Sequence, residues 1–349
     1  MKYLKKTPLI ISFLSFITFI TSVNADVKVV ASIKPIHSLA SYLMDGVGKP
    51  DLIVDGYASP HGFAMKPSHA KMLQEADLIF WVGEDLESFL EKPLKSIAKK
   101  AEKIELMATK NLNVLKFRER NIFDEHDHDD HGHDDHAKKK DDHDDHDHDK
   151  KAKKDDDHDH DHDHDSHAKK EDGHDDHDGH HHGEFDPHIW LDPINAKAIL
   201  NEMVEHLIEN DAANASIYKK NLDKALNELD KLTMNVMTDL NKSTASIVFH
   251  DAYQYFEERF NVNVLGAFTV NTDVMPGAEQ LKEIREIIEH DNVRCVFSEP
   301  QFNPDIINAV AKDMNIKTGV LDPLGATLNP GKGLYFDLIK NMSSSFKGC

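Results

Sequence analysis

From Asp124 to His182 the chain runs through 59 residues without a single Leu, Ile, Val, Phe, Trp, Tyr or Met. Ordering a backbone costs about 1 to 2 kcal/mol per residue, and a segment with no large apolar side chains has no burial to offset it. The segment is therefore expected to be disordered when metal-free and to interrupt a fold built by the rest. It holds 18 of the 25 histidines, 25 acidic residues and nine lysines, so -16 of the formal charge of -22 lies there. The run from Asp157 to Asp165 alternates Asp and His, but alternation without an apolar face is no strand signal. Elsewhere the charge is only -6 and the histidines are seven: His37, His61, His69, His188, His206, His250 and His290. So negative a chain disfavours nucleic acid and anionic lipid as partners and favours cations.

The N-terminus carries Lys2, Lys5 and Lys6, an apolar run from Pro8 to Ile20, and Val23-Asn24-Ala25 before Asp26. This is the pattern of a secretory signal peptide cleaved after Ala25. The apolar run is shorter than the ~20 residues that span a bilayer, and no Cys near the cleavage site could take a lipid. A soluble protein exported to a bacterial periplasm is expected. Cys295 and Cys349 are the only cysteines. In an oxidising compartment such a pair reads as a disulfide; two thiolates binding metal is the other reading.

The 349 residues suit two domains of about 150 each. After the signal, strand-like runs (Val27 to Ile33, Asp51 to Gly56, Asp77 to Gly83) alternate with helical patterns (Pro35 to Met44, Lys66 to Glu75). A second alternating set begins at Ser246. Such alternation predicts α/β lobes with parallel sheets. Between the sets, Tyr218, Leu222, Ala225, Leu229, Leu232, Val236 and Leu240 recur at spacings of three and four, predicting one long, rigid connecting helix over 214–240. The expected division is a signal at 1–25, an N-terminal lobe at 26–213 interrupted by the insert at 124–182, the helix at 214–240, and a C-terminal lobe at 241–349.

In open α/β sheets ligands bind beyond the carboxyl ends of the strands. Three of the seven histidines fall at such places: His61 in the loop ASPHGFAMKPS, His188 in FDPHIWLDP, and His250 at the end of SIVFH. Neutral imidazoles suit Zn²⁺, which prefers four ligands in a tetrahedron. The fourth is expected to be Asp322, at the end of TGVLD, or a water. His37 reads as structural, His69, His206 and His290 as solvated helix positions, and Asp251 and Glu299 as groups that orient the ligand imidazoles.

The segments IKPIHSL, ASPHGFAMKPSHAKML, ADLIFWVGEDLESFL, DPHIWLDP, FHDAYQYFEERF, PGAEQL, CVFSEPQF and LDPLG, with the acidic His-rich insert, resemble the solute-binding proteins of bacterial zinc ABC importers, the ZnuA-like branch of the cluster A-I metal receptors. The resemblance runs from Val27 to Cys349, leaving out the insert's interior. It implies a periplasmic receptor that binds zinc in a cleft between two β/α lobes and passes it to an ABC transporter membrane permease. By motif, His61, His188 and His250 fall on the family's three ligand histidines, and Cys295 with Cys349 on its C-lobe disulfide. Some zinc members place a Glu immediately before the first histidine as fourth ligand; Pro60 stands there in this chain, which leaves Asp322 or solvent.

The insert offers many weak, overlapping sites, His158, His160, His162, His164, His180, His181 and His182 among them. It is expected to collect Zn²⁺ at low affinity and, being tethered, to raise its concentration near the cleft. A monomer is expected. The alternatives are a manganese receptor of the same family, a periplasmic zinc buffer with no permease, and a three-His zinc hydrolase. No HExxH and no nucleophile elbow supports the last, so the chain reads as a receptor and not an enzyme.

Overall fold

The computed structural model describes residues 27–118, 120–122, 183–240, 244–272 and 274–349. The expected signal segment and the insert, with the secondary ligands expected from His158 to His182, lie outside the described residues. The N-terminal elements are β1 (Val29–Ile33), α1 (Lys34–Leu43), β2 (Asp51–Val54), α2 (Pro67–Glu75), β3 (Leu78–Trp81), α3 (Ser88–Ser96) and β4 (Glu102–Glu105). After the insert come a 3-10 turn at Ile189–Leu191, α4 (Pro193–Asn210), a second 3-10 turn at Ala212–Asn214, and α5 (Ala215–Asp239). The C-terminal set is β5 (Ser246–His250), α6 (Gln254–Phe260), β6 (Val264–Thr269), α7 (Ala278–His290), β7 (Cys295–Ser298), α8 (Asp305–Met314), β8 (Lys317–Val320) and α9 (Leu334–Gly348).

The strands form two four-stranded sheets, ordered β2-β1-β3-β4 and β6-β5-β7-β8. All pairings are parallel, with register pairs such as Ile33↔Val54 and Val29↔Leu78 in the first sheet and Ser246↔Cys295 and Cys295↔Lys317 in the second. β1, β3 and β5 are buried along their whole length, as continuous apolar runs in a parallel sheet require. Both sheets follow one plan. The chain enters at a central strand, steps to one edge, then crosses to the other side, which leaves a crevice between the first and third strands of each. This duplication is invisible in the sequence.

The period-two alternation of the second sheet divides its side chains between two cores. Val248, Ala267, Cys295 and Phe297 join a large cluster continuous with the first sheet, while Ile247, Phe249, Phe268 and Val296 pack beneath α7 and α8. The long helix is present as α5, 25 residues from Ala215 to Asp239. It lies against α1, α4 and α9 and buries Tyr218, Ala225, Leu229, Leu232 and Val236. The cysteines are bridged, Cys295 to Cys349, which ties the end of α9 to β7 and disposes of the thiolate reading. Among the described residues no helix is long and apolar enough to cross a membrane.

Candidate metal centre

The three histidines arrive from three different elements. His61 lies in the loop between β2 and α2, His188 just ahead of the Ile189–Leu191 turn, and His250 ends β5 at the crevice beside β7. Their ring centroids lie 5.5, 5.8 and 5.4 Å apart, and one ring nitrogen from each falls within 4.8 Å of the other two. His188 and His250 are buried. The rings line a small, tight cavity whose apolar walls include Pro60, Trp190, Phe302, Pro323 and Leu324.

Two of the rings are oriented by carboxylates. His188 Nδ1 lies 2.7 Å from Asp186 Oδ1, which also accepts the His188 backbone N–H at 2.9 Å. His250 Nδ1 lies 2.6 Å from Glu299 Oε1. Where the carboxylate is ionised it only accepts, so the Nδ1 beside it donates and the Nε2 of a neutral ring keeps its lone pair. The Nε2 of His250 is buried with no hydrogen-bond partner, an orphaned acceptor that a cation would satisfy. Burial, with the charge of His250, holds His188 well below its ordinary pKa, so it is neutral and ready to ligate. Burial pulls His250 down too, but the charge and hydrogen bond of Glu299, with Asp251 and Asp186, outweigh it and leave the net shift upward.

Glu299 thus stands where an orienting group was expected. Asp251 does not: its Oδ2 faces Arg118 Nε at 3.3 Å, and Arg118 Nη2 also holds Glu257 at 2.9 Å. Burial pushes Asp186 and Asp251 up to about 7 and Glu257 up to about 8, each partly offset by nearby positive charge from Arg118. Three buried carboxylates facing one guanidinium make this a region that favours a further cation. The orienting role falls instead to Asp186, which sequence reasoning missed. The available signal was the carboxylate two residues before the ring in Asp186-Pro187-His188.

Asp322, expected as fourth ligand, is not in the group of three. Its Oδ1 accepts from Gln301 Nε2 at 3.0 Å and from the Leu324 N–H at 3.3 Å, and its Oδ2 from the Thr327 N–H at 3.5 Å. A residue that closes a strand-to-loop turn is drawn to the backbone donors of that turn, and this competes with ligation. His37 is structural as expected, buried with Nε2 against Pro50 O at 3.0 Å. His69 is not the solvated residue expected: it is buried, its Nδ1 accepts the Lys66 N–H at 3.1 Å at the start of α2, and its ring packs on Phe63. His290 is exposed. His206 gathers Glu102 at 2.8 Å and Glu209 at 4.0 Å from Nδ1, and Glu202 at 3.2 Å from Nε2, on a partly exposed face of α4.

The segment bearing His188 is fastened by the other lobe. Tyr255 Oη donates to Asp186 O at 2.7 Å, Trp190 Nε1 to Pro323 O at 2.8 Å, and Tyr335 Oη to Trp190 O at 2.7 Å. Arg259 makes two bonds of 2.7 Å to Asp192, the bidentate arrangement that adds geometric specificity.

Residues 29–349 match the protein family described as zinc-uptake complex component A periplasmic. The chain is 43% identical over 323 residues to the high-affinity zinc uptake system protein ZnuA of Brucella abortus, covering 92% of this chain and 91% of that one. It is 35% identical over 328 residues to the protein of that name from Yersinia pestis, covering 93% and 92%. Among solved structures it is similar in fold to a zinc-bound deletion mutant of ZnuA, with TM-score 0.67, 20% identity and coverage of 93% and 97%. It is also similar to a periplasmic metal binding protein of Candidatus Liberibacter asiaticus, with TM-score 0.65, 16% identity and coverage of 92% and 98%. The two parallel α/β lobes, the long helix and these relatives agree: the chain belongs to the ZnuA family.

Proposed function

We propose that this chain is the periplasmic zinc receptor of an ABC importer, capturing Zn²⁺ in the three-histidine cavity and delivering it to a membrane permease. His61, His188 and His250 are the ligands in this reading. The observation that carries it is the convergence of three ring nitrogens within 4.8 Å, two of the rings held by buried carboxylates. Tetrahedral zinc needs this donor set and one more position. The fourth is assigned to solvent, since the oxygens of Asp322 are engaged elsewhere. The insert from Asp124 to His182 acts as a weak collector on the same chain, and export follows cleavage after Ala25.

Manganese is the less favoured cargo, because it suits carboxylate and water donors while this cavity gathers imidazoles. Substituting His188→Ala should remove tight zinc binding measured by chelator competition, whereas deleting residues 126–182 should leave one tight site and remove the weak ones. Unchanged tight binding in the His188→Ala chain would overturn the assignment. Loss of the tight site on deleting the insert would overturn the division between collector and receptor.

A further inference from the structure

Gln301 lines the same cavity as the three histidines, beside Glu299 and Phe302. Its amide is oriented by chemistry. The group facing Asp322 Oδ1 at 3.0 Å has to be the NH₂, because a carboxylate offers no proton, and the carbonyl oxygen therefore turns the other way. That oxygen, Oε1, is buried with no hydrogen-bond partner. Buried unpaired acceptors are uncommon and ask for a donor. A solvent molecule held by the cargo is a donor of the right kind, since a cation strengthens the donor character of the water it binds.

We infer that Gln301 is a specificity-determining residue, whose NH₂ holds Asp322 back from the three-histidine cavity while its carbonyl oxygen accepts from the solvent molecule that completes the cargo's coordination. This rests on the cavity being the zinc site. The other two bonds to Asp322 are long, 3.3 and 3.5 Å, so the Gln301 bond is the firmest of these three restraints on its carboxylate. The consequence is selectivity. Three imidazoles and a neutral oxygen suit tetrahedral zinc, whereas a carboxylate that swings in adds the hard, potentially bidentate donor that manganese prefers.

The test uses the full chain, measuring Zn²⁺ and Mn²⁺ affinities by chelator competition and the visible absorption of the Co²⁺ form across pH. Gln301→Ala should raise the Mn²⁺-to-Zn²⁺ affinity ratio about tenfold, the scale on which residues behind metal ligands act. It should also flatten the pH-dependent absorption change that ionisable bound solvent produces. Adding Asp322→Asn should cancel the gain in ratio. Gln301→Met, of similar length but without hydrogen bonds, repeats the test should the alanine chain fold poorly. An unchanged ratio in both Gln301 variants, or a gain that survives Asp322→Asn, would overturn the inference. Tight zinc binding persisting in the His188→Ala chain would instead remove the cavity reading on which it rests.

Discussion

The two sheets share one strand order, and the crevices they create have been put to opposite uses. In the second sheet the crevice between β5 and β7 holds His250 and Glu299, an imidazole oriented by a carboxylate with its remaining nitrogen open to the cavity. In the first sheet the charged groups beyond β1 and β3 are spent on the chain's own backbone. Glu87, fully buried just beyond β3, accepts the backbone N–H groups of Val82 at 2.7 Å and Gly83 at 3.2 Å. Lys34, just after β1, sends its ammonium across to Ala326 O and Leu328 O, at 3.0 and 2.7 Å. One carboxylate serves an imidazole and the other serves a loop. Topology supplies the crevice, and the residues placed at its rim decide whether it binds anything.

The comparison breaks most visibly at Glu299. Glu299→Gln should lower zinc affinity by about 10- to 100-fold, because it removes the charge that favours a ligating His250 while keeping the shape. Equal affinity in the variant would reduce Glu299 to packing. At the other crevice, burial raises Glu87 to about 7, against the two backbone N–H groups that pull it down. The folded value lies above the ordinary carboxylate value, so the protonated form is the one that stabilises. That contribution is complete below about pH 4.5 and is lost as pH rises through about 7. Glu87→Gln should therefore flatten this part of the pH dependence and add roughly 1 to 2 kcal/mol at pH 8, read from urea midpoints at pH 5 and pH 8, with zinc affinity unchanged. A variant with the wild-type pH profile would show that Glu87 is not the titrating group. Tyr335→Phe, which removes one bond between the lobes, should cost about 1 kcal/mol. No loss of stability would show the bond to be without net effect.

Cargo affinity should itself fall as pH drops through about 6.5, because imidazole ligands must be unprotonated. The insert should empty before the cavity, whose three imidazoles the fold brings together in advance of the metal. Zinc release followed against pH, in the full chain and in one lacking residues 126–182, separates the two. Release from the cavity first would reverse the proposed order of affinities.

Much of this was legible in the sequence, for identifiable reasons. β1, β3, β5 and β7 are central or nearly continuous apolar runs, and α5 repeats its apolar positions over 25 residues, so both declare themselves. β4 did not, because at the edge of its sheet Glu-Lys-Ile-Glu needs only one buried side chain, Ile104. His61, His188 and His250 were visible from the Pro, Gly and strand-end context around them. Asp322 and His69 were misplaced for one shared reason. Sequence position shows where a backbone element ends, but not which nearby donor captures the side chain: the turn after β8 took Asp322, and the start of α2 took His69. Asp186 was overlooked because its partner lies two residues away, inside the motif that already drew attention to His188.

The bridge between Cys295 and Cys349 bears on when the receptor becomes competent. It closes a loop of 54 residues, worth up to about 4 kcal/mol when the open chain is the reference. Cys295 begins β7, and the residue just after that strand, Glu299, orients His250. During synthesis in a reducing cytosol that fastening is absent, so the nascent chain has a weaker hold on the strand behind the His250 imidazole. If the chain is exported as proposed, oxidation on the far side of the membrane supplies it, and the covalent step that stabilises the lobe would also favour metal loading there.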